Sequence, residues 1–263
     1  MLGKLIKYET KASMRMILPL YAILPVLALL TRLLVEINGD NVFLGIFRVV
    51  SGLAYGLSMG AIIVLPVILM IQRFYKSLLG DEGYLMHTLP LKTWKNIVSK
   101  LLVSLMWILG AGIVVVLSVL IVAGAEKIRD FFVGDFFGFV EDLKNNYGLN
   151  FWWMTVQCVI VGLLWGMSSI LMVYASVSIG HLSSKHRFIS SVGAYIGLNA
   201  AIQMISASVI AFGGFLFEDW LPELSVKGVW IFVISALLLY QLVFGTVFFV
   251  ITNGILGKRL NLE

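Results

Sequence analysis

Tyr195, Asn199, Gln203 and Ser206 follow one another at intervals of four, four and three residues. On a helix, residues three and four apart are neighbours, so these intervals set two carboxamides, a phenol and a hydroxyl along one face. The surrounding stretch, 192–215, is otherwise apolar and long enough to cross a bilayer. An amide turned toward lipid would leave its hydrogen-bonding groups unsatisfied, at a cost in free energy. The face is therefore expected to turn inward, where it either lines the path of a substrate or bonds a neighbouring helix. The chemistry it offers is hydrogen bonding without charge.

Five further stretches share this apolar character: 17–35, 49–71, 102–123, 154–179 and 229–251. Across all six there is no Asp, Glu, Lys or His, and Arg32, near one end of the first, is expected to reach out to the headgroups. Ionisable groups at membrane depth mark proton relays and ion-coupled transport. Their absence argues against a proton- or sodium-driven transporter, and against an intramembrane metalloprotease or acid–base enzyme. No G-x-x-x-x-G-K-[ST] loop occurs, so the chain is not expected to cradle nucleotide phosphates itself. The single Cys158 offers neither an internal disulfide nor a metal cluster and reads as a small buried hydrophobe. His87, His181 and His186 have no ligand partners at suitable spacing and read as solvated or headgroup-facing.

The elements that carry these residues follow from composition. Of 263 residues, 60% are hydrophobic and 13% charged, against about 45–50% and about 25% in soluble domains. Backbone amides in lipid must be satisfied within their own segment, so each apolar stretch is expected to be a helix. The fold class is an all-α integral membrane protein with six transmembrane helices and no cleavable signal peptide. Residues 1–16, with Leu2, Leu5, Ile6, Ala12 and Met16 at helical spacing and Lys4, Lys7 and Lys11 between them, read as an amphipathic interfacial helix. Residues 17–251 form the transmembrane domain, and 252–263 a short tail. Placing both ends in the cytoplasm puts thirteen of the nineteen Lys and Arg residues on the inner side. That distribution accounts for the net charge of +5, so no nucleic-acid partner is expected.

The longest outer connection, 124–153, mixes Phe131, Phe132, Phe136, Phe137 and Phe139 with acids, as a short helical cap on the outer surface would. Pro19, Pro25 and Pro66 are candidates to kink the first two spans. Gly52, Gly56 and Gly60 form a small-residue stripe in the second span, Gly162 and Gly166 a shorter one in the fourth, and Gly193, Gly197 and Ala201 another in the fifth. Such faces let helices approach closely, either inside one subunit or across a dimer.

The cytoplasmic connection 72–101 is the most distinctive segment. Asp81 and Glu82 suit the start of a short helix, Gly83, Tyr84, Leu85 and Leu89 present a small apolar surface, and Pro90 ends it. Thr93 can then cap the helix that re-enters the membrane. Residues 74–102, with Gly83-Tyr84-Leu85, Leu89-Pro90 and Ser99-Lys100-Leu101-Leu102, resemble the permease subunits of bacterial ABC transporters of the type-2 export class, of Gram-positive type. The amphipathic start, six spans and an outer connection after the third agree with that architecture. The resemblance implies a subunit without its own nucleotide-binding domain, paired with separate ATPase subunits that bind ATP and Mg, and with a second permease, identical or paralogous. It implies that Asp81, Glu82, Gly83, Tyr84, Leu85 and Leu89 form the coupling helix that docks into the ATPase. Residues 1–16 would correspond to the family's connecting helix. No substrate-contact motif is implied, so Asn199 and Gln203 inherit no role from it.

The expected function is ATP-driven export of a hydrophobic, amphipathic or peptide-like compound. The rival expectation is a membrane sensor or assembly protein that couples an ATPase to a membrane event without transport.

Overall fold

The structure, a computed structural model, describes residues 2–37, 39, 41–78, 92–183, 186–216 and 225–258. Asp81, Glu82, Gly83, Tyr84, Leu85 and Leu89, together with His87, lie outside the described residues. Seven α-helices follow in order among the described residues: α1 (Leu2–Glu36), α2 (Val42–Leu78), α3 (Thr93–Asp130), α4 (Phe137–Tyr147), α5 (Phe151–Gly180), α6 (Arg187–Leu216) and α7 (Val226–Lys258). A π-helical stretch, Phe131–Phe136, joins α3 to α4. All except α4 are long and apolar enough to cross a membrane, so the chain is a multi-pass α-helical membrane protein.

The amphipathic residues and the first span form one continuous helix. At 1.5 Å per residue, the 35 residues of α1 extend roughly 52 Å, well beyond a hydrocarbon core of about 30 Å. Pro19 and Pro25 lie inside α1 and Pro66 inside α2, and both helices run through them. The backbone departs from helical geometry at Gly124 instead, where φ is 82° and ψ 158° and α3 bends. That positive φ is one a residue with a Cβ rarely adopts.

The chain divides into two compact units. The first comprises residues 1–72 and 98–138: α1, most of α2 and most of α3. Ile17, Met70, Val103 and Trp107 form its core, with Ile6, Tyr21 and Leu69 packed against them. Lipid removes the hydrophobic drive between helices, which leaves packing and interhelical hydrogen bonds to hold them. Tyr21 meets Trp107 edge-on, with centroids 5.7 Å apart, and its hydroxyl donates to the Trp107 carbonyl. Thr31 Oγ1 lies 3.3 Å from the Ser51 carbonyl, and the Tyr55 hydroxyl 3.0 Å from Ser118 Oγ. Near the start of α1, Lys100 Nζ pairs with Glu9 at 2.5 Å, with side chains only 5% and 12% exposed. Arg32 does more than reach for headgroups. Arg32 Nη1 donates to the Ile121 carbonyl, just before the Gly124 bend, at 3.1 Å, while Nε holds Glu36 at 2.8 Å.

The second unit comprises residues 73–97 and 139–263. The Asn150 side chain starts α5 by accepting from the backbone N–H groups of Trp152 and Trp153. Helix α5 packs against both α6 and α7. Trp230 Nε1 on α7 donates to Gln157 Oε1 on α5 at 2.8 Å. Gly180, at the end of α5, is a close-approach site, because a Cβ there would overlap the backbone N and Cα of Ser191 on α6. Cys158 is exposed rather than buried.

Candidate functional site

Three helices of the second unit line a half-open cavity of about 250 Å³. Helix α5 contributes Trp165, Ser168 and Ser169, α6 contributes Tyr195 and Asn199, and α7 contributes Tyr240, Gln241 and Phe244. All of these residues fall within the apolar stretches 154–179, 192–215 and 229–251, and none carries a formal charge. The α5–α7 wall is tight. Ser168 Oγ donates to the Gln241 carbonyl at 3.0 Å, and a Cβ on Gly245 would stand 2.9 Å from Ser168 Oγ.

The polar face of α6 divides at this cavity. Tyr195 and Asn199 line it. Ser206 Oγ lies 3.1 Å from the Tyr240 hydroxyl and so ties α6 to α7. Gln203 does not reach the cavity: it is exposed, and its Nε2 donates to Asn199 Oδ1 at 2.7 Å. The helical period explains the division. Measured from Tyr195, the face turns by about 40° at Asn199 and about 80° at Gln203, but returns to about 20° at Ser206. One face read from spacing thus serves both purposes, cavity lining and helix bonding. Gln241 is the functional candidate that spacing did not reveal, because it stands alone in an apolar helix without a polar periodicity.

The ends of the connection 79–91 belong to this same unit. Phe74, four residues before the end of α2, is buried and stacks on Tyr174 of α5 with centroids 3.9 Å apart and planes 8° from parallel. Tyr75 lies against His181, with centroids at 5.9 Å. His181 is therefore packed at the end of α5 rather than fully solvated. On the other side, Thr93 Oγ1 sits 3.8 Å from where a Cβ of Gly257 on α7 would be. Both flanks of the connection thus rest on α5 or α7, the helices that wall the cavity.

The glycine stripe of α2 is open. A Cβ at Gly52, Gly56 or Gly60 would meet nothing within 4 Å, and the same holds for Gly162, Gly193 and Gly197. Among the described residues no neighbouring helix comes close enough to these positions to require a glycine. No group of three or more potential metal ligands occurs among the described residues.

These features define a class, a polytopic helical membrane protein with a cavity lined by uncharged residues of its apolar helices. No protein-family model matches the chain, and neither a curated protein nor a solved structure matches it.

Proposed function

We propose that the chain is the permease subunit of an ATP-driven exporter of the ABC type-2 class, moving a hydrophobic, amphipathic or peptide-like compound out of the cell. ATPase subunits that bind ATP and Mg would sit beneath it, and a second permease, identical or paralogous, beside it. The observation that carries this reading is the mechanical link between connection and cavity. The segment assigned to ATPase docking enters and leaves through residues that rest on α5 and α7, and those helices wall an uncharged cavity at membrane depth. A push on Asp81, Glu82, Gly83, Tyr84, Leu85 and Leu89 would pass through Phe74 to Tyr174, and through Thr93 to α7, without needing an ionisable group inside the membrane. Charge distribution supports an orientation with both termini in the cytoplasm, which puts the connection on the ATPase side.

The test is co-purification with candidate ABC ATPase subunits co-expressed with the chain. Replacing Tyr84 and Leu85 together by Asp is expected to abolish association while membrane insertion stays intact. Association that survives the double change overturns the docking assignment. Association with no ATP-dependent movement of any cargo would favour the sensor reading instead.

A further inference from the structure

We propose that the cavity among α5, α6 and α7 binds a neutral, amide-bearing group carried on an apolar or aromatic body, and that Gln241 recognises the amide. Gln241 is 7% exposed and lines the cavity; no hydrogen bond to its carboxamide occurs among the described residues, and its amide atoms are open to the cavity rather than sealed in the protein. Buried amides are ordinarily bonded, because an unmatched donor or acceptor away from water costs free energy. The backbone of this turn is held in place, since Ser168 Oγ donates to the Gln241 carbonyl at 3.0 Å. The free carboxamide therefore belongs to a turn of α7 that is fixed against α5.

The opposite wall complements it. Asn199 Oδ1 is engaged by Gln203 Nε2, which leaves the Asn199 amide N–H groups as donors. The Tyr195 hydroxyl has no partner among the described residues. Together these groups present donors and an acceptor across a space walled by the Trp165 and Phe244 rings. A carboxamide offers one acceptor and N–H donors side by side and so matches Gln241 by two parallel hydrogen bonds. A lone hydroxyl would satisfy only half of that pattern. A carboxylate or ammonium would lose its hydration with no counter-charge in the wall, which excludes it. The volume, about 250 Å³, falls below the range of roughly 300–1,000 Å³ typical for drug-sized ligands. It suits one residue-sized group, either free or as the head of a larger molecule. Naming this ligand as cargo rests on the permease reading, but its binding does not.

The experiment uses the full chain in phosphatidylcholine nanodiscs and equilibrium dialysis with N-acetyl-phenylalaninamide. Saturable binding is expected, weakened about tenfold or more by Gln241→Leu and by the unbranched Gln241→Met, with unchanged melting temperature in at least the latter. N-acetyl-phenylalanine, the carboxylate analogue, is expected to bind at least about tenfold more weakly. Absence of saturable binding, which would leave the cavity to water alone, overturns the proposal, as does binding that neither Gln241 variant weakens. Repeating the dialysis in nanodiscs that contain a ceramide identifies the carrier. Competition by the ceramide points to a lipid-borne amide, and undiminished probe binding to a free one; both support the amide assignment. ATPase co-purification is scored on the same preparations. Probe binding without any ATPase association retains this site and removes the permease reading, whereas ATP-driven transport without probe binding does the reverse.

Discussion

The Glu9–Lys100 pair shows how a single contact can anchor an element. Both charges are nearly excluded from water, so their pairing offsets part of the cost of burying them. Lys100→Met alone leaves a buried carboxylate and is expected to destabilise the protein by about 3–5 kcal/mol. The double change Glu9→Gln with Lys100→Met removes both charges and should recover most of that loss. Unfolding followed in mixed micelles checks the cycle, and a double variant no better than the single would count against a direct coupling. The charges themselves were visible in the sequence, where Lys100 read as one of the residues that set topology. Their partnership spans 91 positions, and no local pattern records it.

At the scale of the element, glycines divide into those that carry a contact and those that do not. Gly180→Ala would drive a methyl into the Ser191 backbone, where no side chain can swing away. It is expected to cost about 3 kcal/mol or more, as overpacking against rigid structure does, and to lower the melting temperature of the purified protein. Gly56→Leu, by contrast, meets open space within the chain. It should leave monomer stability within about 0.5 kcal/mol. If the stripe of Gly52, Gly56 and Gly60 is the face toward the second permease, the same change should split the dimer on size-exclusion chromatography. A dimer that persists unchanged removes that stripe from the interface. Periodicity marked this stripe and passed over Gly180, because repetition along one helix is legible whereas one close approach between two helices is not.

At the scale of the whole molecule, the decisive features are topology and the link between connection and cavity. Reporter fusions at the two termini are both expected to read cytoplasmic, in agreement with the distribution of Lys and Arg. A terminus that reads external would place the connection 72–101 on the wrong side of the membrane for an ATPase and would end the proposed mechanism. The π-helical stretch and α4 that follow α3 expose Phe131, Phe132, Phe137 and Phe139 together with Glu141 and Asp142.

Six membrane helices, apolar stretches without Asp, Glu, Lys or His and the polar face of α6 were legible from composition and period alone. Each of these is a property of one segment in its solvent: about 20 apolar residues in lipid have the helix as their economical state. The tertiary structure decided which polar groups meet. It left Gln203 bonded to Asn199 but outside the cavity that Tyr195 and Asn199 line, set Arg32 on the Ile121 carbonyl at the Gly124 bend, paired Glu9 with Lys100, and set Gln241 in the cavity wall. Those outcomes depend on where separate helices come to rest against one another, and the spacing of residues within a single helix does not encode that.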